Sequence, residues 1–349
     1  MLITRREALM TGAGLAAGLA MAPSTAWART TLRRHAQPEA GATFFPWTRL
    51  ADGLHAVVDP QTGGNSLLIV GSDAAALVDT KYPAIAQALL RESRAFGPPL
   101  RHVINTHHHG DHTGGNYAFT AAGIEVIAHK KAEPRILANY EQYVGQVGGG
   151  PRFVGGLDRP TQAAVLQEAG ELTEELRHMD ASDWGPSRLM ESDNTTLTVG
   201  ARTVQLTHFG QNAHTDNDTV VFLPDANLLH TGDLVFSGLH PYFDPSAGVT
   251  ARGWIQVLAK VRALCDDKTV VVPGHGAVGD ATIIDKQRDY LQSLIDAVQA
   301  DIDAVQADID AGLPKDAIAA KSWGFMEGLG FEQVRPRAIS AVYDELTDG

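Results

Sequence analysis

Between His107 and His112 the chain sets His107, His109, Asp111 and His112 within six residues, with His108 and Gly110 interposed. Three imidazoles and a carboxylate this close together are costly to bury without a cation. They are also the ligand types that borderline divalent ions such as Zn²⁺ prefer. The run begins where an apolar segment, His102–Asn105, stops. In an extended or turning backbone alternate residues point the same way, so His107 and His109 can share one ion while His108 faces away. Asp111 and His112 lie where the chain turns at Gly110 and can reach a second ion.

Three later segments place ligand-type residues just beyond predicted strands. His214, in Asn212-Ala213-His214-Thr215-Asp216, follows Thr203–Thr207; Asp233 follows Asn227–His230; His275, in Pro273-Gly274-His275-Gly276, follows Thr269–Val272. Further apolar runs bounded by turn residues read as strands at Leu54–Val58, Ser66–Val70, Ala75–Val78, Glu125–Ala128, Thr196–Val199 and Thr219–Leu223. Ala84–Phe96 has helical spacing and stops at Gly97-Pro98-Pro99. Residues 130–192 lack strand alternation and read as a helical insertion, with helices around Glu133–Val144 and Ala163–Glu175 joined by Gly148-Gly149-Gly150-Pro151. Long connections of this kind often act as lids.

Two strand-rich halves, each with helices, imply a four-layer αββα sandwich (fold class α/β) over residues 44–285, followed by a C-terminal helical segment over 286–349. Residues 281–311 read as one long helix in which DAVQADI at 296–302 repeats at 303–309. Its stripe of Ile295, Val298, Ile302, Val305 and Ile309 suits packing on the chain itself, with a coiled-coil homodimer as the alternative.

With these motifs in this order, the chain resembles the metallo-β-lactamase superfamily of dinuclear hydrolases from about residue 47 to residue 285. The resemblance implies the metallo-β-lactamase fold and two divalent metal ions. One would be held by His107, His109 and His214, the other by Asp111, His112 and His275, with Asp233 bridging them. Asp79, in Val78-Asp79-Thr80, would support the ligands from behind. Zn²⁺ is the expected ion, and Fe or Mn suits the same donors. The implied chemistry is attack by a metal-bridged hydroxide on a small ester, lactone or amide, β-lactam rings included, with Asp111 catalytic in orienting the hydroxide or passing a proton to the leaving group. A carboxylate at Asp233 resembles lactonases, glyoxalase-II-type thioesterases and phosphodiesterases more than the antibiotic-destroying members that carry a cysteine ligand or no bridge. A glutathione thioesterase is disfavoured by the acidic C-terminal region. The alternatives are a mononuclear iron, persulfide dioxygenase-like oxidoreductase and a non-catalytic periplasmic metal-binding accessory protein. Substrate shape is expected from the insertion, with Tyr140, Tyr143 and Phe153, and from the aromatic loop Phe236–Phe243.

Composition bears mainly on partners and location. A net charge of −13 with no basic cluster argues against nucleic acid and leaves a small-molecule substrate. Arg5 and Arg6 precede a small-residue apolar stretch and Ala26-Trp27-Ala28, so residues 1–28 read as a twin-arginine-like export signal for a periplasmic or secreted protein. The stretch is short and glycine-interrupted, which suits no stable membrane anchor. Residues 29–43 read as an N-terminal extension. Cys265 is the only cysteine, so no intrachain disulfide can form. His102, His208 and His230 read as structural, and His129 is left open.

Overall fold

The computed structural model describes residues 43–145, 159, 161–176, 179–307 and 315–347. Residues 1–28, expected to form an export signal, most of the expected N-terminal extension, the Gly148–Pro151 stretch, Phe153 and Ile309 lie outside them.

Alternating side chains build two facing sheets. The first runs β1 (Trp47–Ala51), β2 (Leu54–Val57), β3 (Ser66–Val70), β4 (Ala75–Val78), β5 (Leu100–Ile104), β6 (Glu125–His129) and β7 (Arg188–Met190) in that spatial order. It is antiparallel through β4 and parallel from β4 to β7. The second comprises β8 (Asn194–Val199), β9 (Arg202–Thr207), β10 (Val220–Leu223), β11 (Leu228–His230) and β13 (Val270–Val272), ordered β13-β11-β10-β9-β8. A two-residue parallel pair, β12 (Phe236–Ser237) with β14 (His275–Gly276), completes the set.

The period of two in strands sends successive residues to opposite faces, and here both faces are apolar. Leu67, Ile69, Val78, Ile104 and Ile127 of the first sheet meet Leu197, Val204, Leu206, Val221 and Val272 of the second in an inner core. Their neighbours Leu68, Leu77, Val103 and Val126 face outward under helices α1 (Ala86–Arg94), α3 (Asn116–Ala121) and α4 (Ala132–Ala138). Val220, Leu229 and Val271 do the same on the far side, under α6 (Ala251–Arg262), α7 (Thr282–Ala307) and α9 (Arg335–Thr347). The result is the expected αββα sandwich with extra C-terminal helices. A one-turn α2 (Gly110–Thr113), α5 (Gln162–Leu176) and α8 (Lys315–Ala319) are further helices.

Two details differ from the sequence reading. Residues 130–192 are not wholly helical: Arg188–Met190 forms β7 and pairs with β6. Three residues are too few for alternation to register in a sequence. The long helix starts at Thr282, so it runs through the expected boundary at 285 and ties the C-terminal segment to the sandwich. Leu291, Leu294, Ile295, Val298 and Ile302 bury their stripe against α6 and α9 of the same chain. No described helix is long and apolar enough to cross a membrane.

Candidate metal centre

The parallel strands β4, β5 and β6 all end on one rim, and the loops leaving that rim carry the site. Ile104 ends β5 and delivers Asn105-Thr106-His107-His108-His109, after which Asp111 and His112 sit in α2. His214 lies in the loop after β9, Asp233 in the turn after β11, and His275 begins β14 directly after β13. All seven expected ligand residues are thereby brought together.

His107 Nε2 lies 3.0 Å from His109 Nδ1, and His214 Nε2 lies 3.1 Å from the same atom. Asp233 Oδ2 is 3.7 Å from His107 Nε2 and 3.6 Å from His214 Nε2. Donors bound at about 2.0–2.1 Å around a tetrahedral ion stand at such separations.

What lies behind each ring decides its tautomer. His214 Nδ1 donates to the Tyr242 carbonyl at 2.9 Å, which leaves Nε2 a lone pair. His109 Nε2 donates to Asp244 Oδ2 at 3.0 Å, which leaves Nδ1 a lone pair. The Thr106 hydroxyl spends its proton on Asp79 Oδ2, so it accepts from His107 Nδ1 at 3.0 Å and leaves His107 Nε2 a lone pair. Three imidazole lone pairs therefore converge with nothing between them to donate. A cation resolves that repulsion, so these residues fit a divalent ion. Burial holds the His107 and His214 pKa values down, His214 to about 3, so both rings are neutral, the form that ligates.

A second cage adjoins the first. His275 Nε2 lies 3.1 Å from Asp111 Oδ2 and 3.4 Å from His112 Nε2, and His112 Nε2 lies 3.6 Å from Asp111 Oδ2. Asp233 spans both cages: Oδ2, which faces His107 and His214 of the first, is also 3.4 Å from His275 Nε2, and Oδ1 is 3.1 Å from His112 Nε2. Oδ1 is buried and lacks a well-formed hydrogen bond among the described residues. Burial works against protonating His275, yet Asp233 and Asp111 push its pKa up to about 9. Imidazolium here takes the role that a cation would fill.

Asp79 is fully buried, with Oδ1 accepting from the Thr106 amide at 2.8 Å and Oδ2 from His112 Nδ1 at 2.7 Å. It thus fixes both the His112 ring and the start of the histidine run, in the manner of the carboxylates that orient metal-bound histidines. Its φ of +61° is strained for a residue with a side chain. Phe236 stacks on His275, with ring centres 5.2 Å apart and planes 10° apart. Two glycines let backbone approach the ligands. A Cβ on Gly64 would stand 2.1 Å from His112 Cε1, and one on Gly274 would stand 1.9 Å from Asp233 Oδ1.

The centre opens into a cavity of about 510 Å³ whose lining includes Tyr82, Asp111, Tyr143, Tyr242, Asp244, Phe331 and Arg337. Several of these were not identified from sequence. Asp244 lies one residue past the aromatic loop singled out there, and it holds His109. His108 faces away from both cages, as expected, yet it lines the cavity with Nε2 3.5 Å from Asp244 Oδ2. Tyr143 lines the cavity too, hydrogen-bonded to Thr113 at 2.8 Å, whereas Tyr140 packs on Trp184. His102, His208 and His230 make hydrogen bonds to Glu125, the Asp218 carbonyl and the Asn65 carbonyl and enter neither cage. Among the described residues Arg337 is the only lysine or arginine lining the cavity, and it lies 4.7 Å over the Tyr242 ring. The C-terminal segment is acidic in sum, but the fold turns this one cation to the site.

Comparison with known proteins agrees with the geometry. A hydroxyacylglutathione hydrolase of Methylococcus capsulatus is 54% identical over 52 residues, which is 15% of this chain and 19% of the relative. One of a Polaromonas species is 28% identical over 194 residues, 55% of each chain. A metallo-beta-lactamase type 2 of Bacillus cereus is 25% identical over 65% of this chain and 73% of the relative. The chain thus spans about half or less of the length of the hydroxyacylglutathione hydrolases it matches. Among solved structures, the DIM-1 metallo-beta-lactamase superposes with a TM-score of 0.51 at 17% identity, over 72% of this chain and 99% of that one, a likeness of fold alone. The profile of the Metallo-beta-lactamase superfamily matches residues 59–305, more than half of the sequence, and the chain belongs to that superfamily.

Proposed function

We propose that the chain is a zinc-dependent hydrolase that cleaves a small carbonyl compound, an ester, lactone, thioester or amide, at a centre of two metal ions. The observation that carries this reading is the convergence of three imidazole lone pairs on one point, with Asp233 joining that point to the second cage. Two divalent ions bound there would supply Lewis acidity toward a substrate oxygen and lower the pKa of a water toward neutrality.

The remaining work falls to side chains. His107, His109 and His214 would hold one ion, Asp111, His112 and His275 the other, and Asp233 both. Asp111 lines the cavity and meets His275, so once ionised it can orient a nucleophile or take its proton. The Asp111 charge and burial push the Tyr82 pKa up, so its phenol stays protonated on the cavity wall as a donor to a developing oxyanion. Tyr242, Phe236 and Phe331 supply apolar wall. Arg337 supplies one positive charge on the cavity wall, which favours substrates that carry a carboxylate. That argument readmits thioesters such as those named for the hydroxyacylglutathione hydrolases, which the acidic C-terminal composition had disfavoured. The twin-arginine-like residues 1–28 make export to the periplasm part of the same proposal.

Zinc-loaded protein screened against thioesters, lactones, β-lactams and phosphodiesters tests the reading. Turnover of at least one carbonyl class, lost more than about a hundredfold in His109→Ala and Asp111→Asn, is the expected result. A single tightly bound iron with sulfur-oxidising activity would establish the oxidoreductase instead. Tight zinc with no hydrolysis of any class would establish an accessory metal-binding protein.

A further inference from the structure

Outside the two cages, a second convergence of ligand-type residues lies on the same rim. β6 ends at His129, β9 runs on into His208, and Asp193 follows β7, so the group draws on both sheets. The His129 and His208 rings stack with centres 4.2 Å apart and planes 21° apart. Asp193 Oδ1 lies 3.8 Å from His129 Nε2. One donor atom from each of the three residues falls within 4.8 Å of the others.

Hydrogen bonding singles this group out. His129 is 1% exposed, yet neither of its ring nitrogens has a hydrogen-bond partner among the described residues. A buried polar atom left in that state is destabilising, and His129 has two. His208 Nδ1 donates to the Asp218 carbonyl at 2.7 Å, so its Nε2 is a lone pair. Burial pushes His129 down to about 4 and lowers His208 as well, so both rings are neutral near pH 7. Two neutral imidazoles with free lone pairs, one of them wholly unpartnered, beside a carboxylate that is two-thirds exposed, make an incomplete coordination sphere open to solvent on one side. Lys130 and Lys131 oppose a cation here, while Asp193 and Asp216 favour one.

We propose that His129, His208 and Asp193 form a third metal site, separate from the dinuclear centre, that takes a borderline divalent transition-metal ion such as Zn²⁺. Imidazole donors select such ions over Mg²⁺ and Ca²⁺. Closing the donors from within 4.8 Å to about 3.4 Å takes a tilt of the two rings and a new rotamer of the exposed Asp193. The bound ion would staple the end of β6 to the end of β9, joining the two sheets beside the strand ends that launch His107 and His214.

The test is zinc stoichiometry by equilibrium dialysis and elemental analysis, at about micromolar free Zn²⁺, on wild type, Asp193→Ser and His129→Gln. Both variants should bind about one equivalent less than wild type, whatever number the main centre holds. Addition of Zn²⁺ should raise Tm less in each variant than in wild type. His129→Gln removes no hydrogen bond, and Asp193→Ser changes an exposed side chain, so at least one of them reports on folded protein. Equal zinc content in Asp193→Ser and wild type, to within half an equivalent, overturns the site.

Discussion

Replacing Gly64 with alanine would test the architecture of the second cage without replacing any of its expected ligands. The added Cβ would stand 2.1 Å from His112 Cε1, 2.3 Å from Nε2 and 2.7 Å from Nδ1. Ordinary contact begins near 3.4 Å, so the ring must retreat by roughly 1.3 Å. It has nowhere to go, because His112 Nδ1 is held at 2.7 Å by Asp79, and Asp79 is held in turn by the Thr106 amide. Retreat therefore breaks a buried, charge-assisted hydrogen bond worth about 1.5–3 kcal/mol, or drags the histidine run with it. Loss of ligand orientation of this kind lowers metal affinity about 10–100-fold. A displacement of about 1 Å at a reacting centre costs about a hundredfold in rate. We expect Gly64→Ala to fold with a Tm lowered by several degrees, to lose the ion of the second cage at micromolar free Zn²⁺, and to hydrolyse at about one hundredth of the wild-type rate or less. Gly324→Ala, where a Cβ would meet nothing within 4 Å, is the matched control and should be silent. Gly64→Ala with wild-type zinc content and activity within about threefold would refute the fixed His112–Asp79 geometry on which the reasoning rests.

Other consequences follow from single residues. Burial pushes the Asp218 carboxyl up to about 8, against 3.8 when unperturbed. Between these values the folded chain binds more protons than the unfolded chain, so this group's contribution to stability is present below about pH 4 and lost as pH rises through about 8. Calorimetry at pH 5 and pH 8 should therefore show Asp218→Asn gaining stability relative to wild type as pH rises, and a constant difference in Tm would contradict this. Arg337→Ala should raise KM about three- to tenfold for substrates with a distal carboxylate while sparing kcat and neutral substrates. A uniform change across both classes would remove its role in recognition. Gly170 lies in α5 with open space where a Cβ would go, so Gly170→Ala should stabilise by about 0.5–1 kcal/mol with activity unchanged, and an unchanged or lowered Tm would count against it.

The sequence alone determined the class of fold and picked out the polar residues that the fold gathers on one rim. Apolar runs of strand length told of two sheets, and a polar run at the end of a predicted strand told of a rim. His107, His109, Asp111 and His112 are legible because their spacing of one to three residues makes local geometry sufficient. His214, Asp233 and His275 are legible because each follows a strand and each is a metal-ligand type. Asp79 came through resemblance to a family and not through its own neighbours.

What only the tertiary structure decided is how those residues face one another. Tautomers are set by the Tyr242 carbonyl and Asp244, both far in sequence from the rings they fix, and by Thr106, which precedes His107 but takes its direction from distant Asp79. Arg337 stands 230 residues from His107 in the chain, and only the docking of α9 against α7 brings it to the cavity. Gly64 and Gly274 gave no local signal, since the space they leave is defined by side chains from other elements. β7 escaped notice because three residues carry too little alternation, and His129 could not be assigned because its partner, His208, is brought to it from the other sheet. Local chemistry is written at short spacing, where the backbone fixes relative direction. Orientation between distant residues depends on which faces pack, and that is set by the whole core at once.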